Sequence, residues 1–213
     1  MEFTGVMRFI EDSVLDVQHP LSVEQRDERD RLRLLVEVSE SIASHPDLNE
    51  LFHDLAQRLP RIVPFDYINL ILHDASRNVM RLHLLTVPTD STIKPGMEST
   101  VDESPGGLVW KTQQPLSVND IELEERFPVW IPRLRENGVQ SFCIVPLTSA
   151  LGRLGAMGFG SLEKRTYDHR KIAFMQEVAQ QVAVAVDNVL HDESARSAQR
   201  QLARERAWDI HLG

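Results

Sequence analysis

Residues 65–74, FDYINLILHD, and 79–86, VMRLHLLT, alternate apolar and other side chains with a period of two, and the turn-type sequence Ala75–Asn78 joins them. That pattern predicts a β-hairpin. A second pair of such runs, VQSFCIVPLTS (139–149) and RLGAMGFGS (153–161), predicts another hairpin around Ala150–Gly152. Between the two, PLSVND (115–120) reads as a short strand. SPGGLVWKTQ (104–113) reads as a short helix opened by Ser-Pro, with proline at its favoured first position. Residues 87–101 read as a polar loop, and 121–137 as irregular or short helix.

Toward both chain ends the period lengthens to that of a helix. Residues 1–23 are weakly amphipathic through Phe3, Val6, Val14 and Val17, and Pro20 ends them. Residues 24–44 form a charged helix with the stripe Leu32, Leu35, Val36 and Ile42. After Pro46, Asp47 is a good N-cap with Glu50 three residues on, and a second helix runs to about Ile62. The last helix starts near Tyr167 and Asp168 and runs through about Leu190, with an extension toward 207. The order is α-α-β-β-(α)-β-(α)-β-β-α. Without βαβα alternation, a doubly wound parallel sheet is disfavoured. The expected class is α+β: a central antiparallel sheet of about six strands with helices from both termini packed on one face.

Composition narrows the function. The 213 residues carry 23 basic and 32 acidic side chains, a net charge of −9. Such a surface repels phosphate backbones, so direct nucleic-acid binding is not expected. Cys143 is the single cysteine. It excludes an intramolecular disulfide and a four-thiolate zinc site, and fits a reducing compartment. No basic leader and no run of 18 apolar residues is present, so no membrane association is expected and a cytoplasmic location is.

Catalytic patterns are weak. Lys111-Thr112 lacks the glycines of a phosphate-binding loop, since Trp110 and Pro105 hold those positions. The eight histidines include no i, i+4 pair on one helix, so no metal site is expected. Cys143 lies mid-strand between Phe142 and Ile144, the setting of an inert buried thiol. Glu122, Glu124 and Glu125 read as solvated. No catalytic residue and no enzyme activity is expected.

The first hairpin says more. One face of its first strand is Ile68, Leu70 and Leu72; the other is Phe65, Tyr67, Asn69, Ile71 and His73. The apolar face should meet the helices. The mixed face, with aromatic walls and polar handles, suits a small-molecule pocket. The competing reading is that Tyr67 and Asn69 bond to a covering loop. Trp110, Phe127 and Trp130 lie in the segment that would cover this face, as lid or as core. On the last strand Ala156, Gly158 and Gly160 leave one face almost bare, which admits a helix or a ligand, helices being the commoner occupant. On the last helix Met175, Val178, Val182, Ala185 and Val189 step 3-4-3-4, a heptad seam. More of its surface is apolar than one face needs, so the seam is expected partly on a partner.

Taken together, the helices leading into FDYINLILHD, the run PGGLVWKTQQPLSVNDI, the hairpin GVQSFCIVPLTSALGRLGAMGFGS and the closing KIAFMQEVAQQVAVAVDNVL resemble a GAF domain over about residues 28–190. In detail the chain is similar to the sensory GAF domains of bacterial enhancer-binding transcription activators of the formate-hydrogenlyase-activator type. The resemblance implies a six-stranded antiparallel sheet of the GAF-like, PAS-related kind, a ligand pocket in front of it, and dimerisation through terminal helices that couple to an output module. The ATPase and helix-turn-helix modules of those activators have no counterpart here. The chain also departs from three subfamilies. It lacks the cyclic-nucleotide pattern around Asn119 and Phe127. Cys143 is followed by Ile144, not by the histidine usual at bilin attachment. One cysteine is too few for the methionine-sulfoxide-reducing enzymes.

The expected organisation is an N-terminal extension (1–27), a sensor domain (28–190) and a C-terminal helical extension or linker (191–213) toward a missing output module. The expected function is non-catalytic sensing of an unidentified small molecule, regulating an output module, in transcription, through homodimeric terminal helices. The alternatives are a dimerisation module whose pocket is collapsed by Tyr67, Trp110 and Phe142, or an enzyme on the same fold. The expected ligand-binding residues are Tyr67, Asn69, Trp110, Phe142 and Phe159. The phase of the second hairpin is ambiguous by one residue, which bears on Phe142 and Phe159. Nothing in the sequence names a cofactor.

Overall fold

The computed structural model describes residues 22–45, 47–86 and 91–211; the amphipathic segment expected near the N-terminus and part of the polar loop lie outside them. Six strands form one sheet: β1 (Tyr67–Asp74), β2 (Val79–Thr86), β3 (Glu98–Thr100), β4 (Leu116–Val118), β5 (Ser141–Ser149) and β6 (Gly152–Ser161). Their order is β3-β2-β1-β6-β5-β4, with every neighbour antiparallel. Strand β3 falls in the expected polar loop. Glu98, Ser99 and Thr100 have no apolar alternation; they pair with the edge of β2 through backbone alone.

Helices α1 (Val23–Ser44), α2 (Leu48–Arg58) and α5 (His169–His211) cover one side, while α3 (Pro105–Thr112) and α4 (Trp130–Glu136) lie on the other. Each long helix has a cap written in the sequence. Ser22 and Gln25 form a reciprocal capping box on α1. Asp47 accepts from the Asn49 and Glu50 amides at the start of α2. Helix α2 ends at Arg58 rather than near Ile62, because Pro60 has no N–H to continue the ladder and the chain tightens into a 3-10 turn over Leu59–Arg61.

The inward line of α1 is Leu34, Val38 and Ser41. Leu35 and Ile42 pack at its margin, as expected, but Leu32 and Val36 do not: they are 54% and 58% exposed. At about 100° per residue Leu32 lies some 200° round the helix from Leu34. The rotation is fixed by α5, which runs parallel to α1. Glu24 pairs with Arg170 at 3.0 Å, Arg31 with Glu177, and Ser39 donates to Gln181 at 3.0 Å.

The seam on α5 is also placed differently from the expectation. Met175, Val178, Val182 and Ala185 are buried within the chain's own core, against β5, β6 and α1. Phe174, Ala179, Ala183 and Val186 join them, so one wide face is consumed by the sheet and α1 together. Helix α5 continues as one helix to His211, 43 residues in all, about 65 Å at the helical rise. Among the described residues no helix is long and apolar enough to cross a membrane.

Each hairpin contains a one-residue irregularity. In the first, Leu70 pairs with Leu84 and Ile71 with Leu82, leaving His83 as the extra residue. In the second, Leu147 pairs with Gly155 and Thr148 with Arg153, leaving Leu154 extra. Counted back from the Ser149–Gly152 pair, an unbroken ladder would set Phe142 opposite Phe159. The bulge shifts the partners to Phe142–Gly160 and Cys143–Phe159. Paired residues share a face, so the bulge turns Phe159 to the helix side.

Candidate ligand pocket

On the sheet face away from α1, α2 and α5, strand alternation presents Tyr67, Asn69 and Ile71 from β1, Phe142 and Ile144 from β5, and Ala156, Gly158 and Gly160 from β6. Gly158 pairs with Asn69 and Gly160 with Tyr67. A Cβ at Gly158 would sit 2.6 Å from Asn69 Oδ1, and one at Gly160 would meet Tyr67 Cβ at 3.5 Å. Gly158 and Gly160 therefore make room for the side chains of β1 and not for the last helix, which corrects the commoner of the two expectations, while Ala156 shares a core cluster with Val109 of α3.

Above this floor lies a partly enclosed cavity of about 90 Å³. Its walls are Met80 and Leu82 from β2, Ser91, Ile93 and Met97 from the loop before β3, Ser104–Gly106 at the start of α3, and Trp130, Leu134 and Val139 from α4 and its exit. No lysine, arginine, histidine, aspartate or glutamate lines it.

One polar chain holds the cover in place. Tyr67 Oη donates to the Asn137 carbonyl at 2.8 Å. The Asn137 amide then clamps the loop: Nδ2 donates to Thr92 Oγ1, and Oδ1 accepts from the Thr92 amide, both at 2.8 Å. Burial raises the Tyr67 phenol above its ordinary value, with the Asp66 carboxylate adding to the effect. It stays a neutral donor at physiological pH. Two other polar atoms on the lining residues are buried without any hydrogen-bond partner: Asn69 Oδ1 and Trp130 Nε1. Buried polar groups are normally paired; among the described residues Arg135 Nε and Tyr167 Oη are the two other buried side-chain atoms without a hydrogen bond.

Of the five expected residues, the structure brings Tyr67, Asn69 and Phe142 together around the cavity. Phe159 borders it, but its ring belongs to the opposite core, edge-on to Phe65 with centroids 5.4 Å apart. Phe65 itself precedes β1, so strand alternation does not govern it, and it too lies on the helix side. Trp110 is not at the cavity. It stacks on His73 at 3.9 Å and donates to the Arg153 carbonyl at the far end of the sheet. Helix α3 turns Pro105, Gly106 and Val109 inward, and Trp110 comes one residue later. Phe127 is core and Trp130 is cover.

Cys143 is fully buried in the helix-side core, and burial pushes its thiol up to about 12. No thiolate is available there for nucleophilic work. Among the described residues no group of three or more histidine, cysteine or acidic side chains is arranged to hold a metal.

This arrangement, a six-stranded sheet with a walled face opposite its terminal helices, matches a known family. The GAF domain family model aligns with residues 47–186. The chain belongs to the GAF domain family. The GAF domain of a phosphoenolpyruvate-protein phosphotransferase from Coxiella burnetii superposes with a TM-score of 0.65 over 78% of this chain and 98% of that one, at 19% identity. A free methionine-R-sulfoxide reductase from Neisseria meningitidis, solved with its substrate, superposes with a TM-score of 0.61 over 78% of this chain and 93% of that one, at 16% identity. Both likenesses concern the fold. In sequence, the chain is 28% identical over 187 residues to a formate hydrogenlyase transcriptional activator of Salmonella typhimurium, which covers 84% of this chain. The chain spans about a quarter of the length of the curated relatives it matches, 26% for that activator. Those relatives are transcriptional activators.

Proposed function

We propose that this GAF domain is a non-catalytic sensory domain, which binds a small molecule on the outer face of its sheet and regulates an output module, in transcription, through its terminal helices. The observation that carries the reading is the walled cavity of about 90 Å³ on the outer face of the sheet, with no charged side chain on its lining. It argues against a collapsed pocket: Gly158 and Gly160 keep the floor low, and Trp110, one of the three aromatics expected to fill it, packs elsewhere. A route to the helices runs through the sheet itself. Gly158 and Gly160 flank Phe159, whose ring packs in the core under α5, so a ligand that shifts β6 also shifts the seat of that helix.

The activator relatives support transcription as the output. Dimerisation fits the outer side of the α1–α5 pair, where Leu32, Val36 and Val184 are exposed, and the length of α5. A second copy is the usual occupant of such a surface. We place the protein in the cytoplasm on the same reading.

Native mass spectrometry of the purified protein tests the sensory reading. Wild type should carry an added mass, retained on purification or acquired from a small-molecule extract. Gly160→Leu, which projects methyl groups into the cavity, should lack it. Equal, empty spectra for both would sink the proposal.

A further inference from the structure

The cavity has two kinds of wall. The strands are fixed by their ladders, and the start of α3 is pressed against its surroundings. A Cβ at Gly107 would sit 1.9 Å from the Val101 carbonyl oxygen, and one at Gly106 would sit 2.9 Å from Ile71 Cδ1. Contact that close leaves no play. The remaining walls are α4, of seven residues, and a strap over 91–97. The strap joins the sheet at one end. There the Gly96 amide donates to the Leu82 carbonyl at 2.7 Å, and the Leu82 amide donates to the Met97 carbonyl at 2.9 Å. Gly96, with a φ of +90°, makes the turn. At the other end Ser91 and Ile93 are buried on the cavity lining, and Thr92 between them is exposed. Asn137, which ends α4, meets Thr92 with both ends of its side-chain amide. Leu134 and Val139, on either side of Asn137, also line the cavity. Strap and α4 therefore meet along a seam at the cavity rim, closed by a pair of hydrogen bonds at the surface. Water replaces exposed hydrogen bonds at little cost, so such a seam opens far more readily than a packed wall.

As it stands the cavity is narrow. Against the ~150 Å³ apolar cavity that takes benzene, its volume of about 90 Å³ admits about three to four heavy atoms. Anything larger needs a wall to give way, and the seam is the wall built to do so. Resting on the sensory reading above, we infer that Asn137 is the clasp of the cavity. It holds the strap and α4 together as one cover, and a ligand enters and leaves by release of its bonds to Thr92, with the Lys94–Met97 turn as the hinge. The strap is the part that swings, because the Asn137 carbonyl accepts from Tyr67 Oη and keeps the end of α4 seated on the floor. Asn137 is thus a positioning residue, acting on the ligand through the cover rather than by touching it. Its mark is a change in the rate of exchange with affinity unchanged, since an easier opening speeds entry and exit alike.

Xenon enters apolar cavities and needs no polar group to hold it, so it serves as the probe. Of the six methionines, Met80 and Met97 line the cavity, and their ¹³C-labelled methyl signals report its occupancy. Saturation transfer from ¹²⁹Xe on the same samples gives the exchange rate. Wild type should show saturable shifts of both methyl signals. Thr92→Val removes one bond of the clasp at an exposed position and should speed xenon exchange about fivefold. Asn137→Ala removes both bonds and should speed it by more than about tenfold. In each, occupancy at a given xenon pressure should stay within about twofold of wild type. Thr148→Val, which removes a hydrogen bond to Gln113 at the end of α3, should leave rate and occupancy unchanged. Thr92→Val carries the test alone, should Asn137→Ala fail to fold. The inference is overturned if Thr92→Val exchanges xenon at the wild-type rate, or if Thr148→Val speeds exchange as much. Faster exchange with a matching loss of occupancy overturns it too, as the sign of a damaged wall. Wild-type rates in the clasp variants, with a retained mass that Gly160→Leu abolishes, remove the clasp and keep the sensory reading. Methyl signals that xenon leaves unshifted in wild type overturn the clasp, and without a retained mass they remove the sensory reading as well.

Discussion

On the helix side of the sheet, Ile68, Leu70, Val145, Leu147, Met157 and Phe159 are buried to within 1% of full burial and interlock with Phe52, Phe174 and Val178. On the other side, the same strands present Asn69, Gly158 and Gly160 beneath a cavity. Strand alternation lets one backbone carry both faces. The first face is packed as interiors are packed, with no space that a ligand would need. The second gives up contacts that would stabilise the chain, as sites do where function requires open space and unpaired groups.

Truncations should register this difference. Phe174→Ala, on the packed side, should lower stability in urea by about 3–5 kcal/mol. If the loss were below 1 kcal/mol, the helix side would not be the folding core. Tyr67→Phe, on the open side, removes one hydrogen bond to the Asn137 carbonyl and should lower stability by about 1 kcal/mol. It should also loosen the Thr92 loop, read as faster hydrogen exchange at the Thr92 amide than in wild type.

A smaller effect comes from the Glu124–Arg126 ion pair. The Arg126 guanidinium hydrogen-bonds Glu124 and holds its carboxyl below the ordinary 4.5, against the opposing effect of burial. A lowered folded value means that this contribution is present above about pH 4.5 and is lost as pH falls through the folded value. Glu124→Gln should therefore be less stable than wild type by roughly 0.5–1 kcal/mol at neutral pH, with the gap closing as acid protonates Glu124 in wild type. A gap that widens in acid would reverse the assignment. Least of all, Gly160→Ala should change stability by no more than about 0.5 kcal/mol, because its Cβ would find ordinary contact distance to Tyr67. Gly158→Ala, which must displace Asn69, should be the more costly of the two.

Most of this architecture was legible in the sequence, for reasons that differ by element. Four strands show apolar alternation and β5 a continuous apolar run, and the helix starts carry their caps in Ser104, Asp47 and Asp168. Strand β3 was not legible, since three polar residues paired through backbone leave no pattern. In the site, Tyr67, Asn69 and Phe142 follow from alternation alone. Phe159 borders the cavity with its ring on the helix side, because the extra residue at Leu154 inverts the phase of everything beyond it, and nothing local marks the bulge. Trp110 was misplaced by one step of helix rotation on α3. Ser91, Ile93 and Met97 sit in a segment without periodicity, and their approach to the cavity depends on Asn137, 45 residues away from Thr92. Leu32 and Val36 show the same limit on α1: the stripe was visible, but its rotation is set by ion pairs to α5 some 146 positions on.

The claim that the open face is organised for a ligand rather than for stability is tested most directly at Asn69. Leucine has nearly the same shape and no polar atoms, so it deletes the orphaned acceptor without leaving a void. The account predicts that Asn69→Leu unfolds in urea at the wild-type midpoint or above it, with a gain of up to about 1–2 kcal/mol from removing an unsatisfied buried group. A loss of more than about 1 kcal/mol, beyond the usual scatter of a neutral substitution, would mean that Asn69 is a structural residue and would contradict the account.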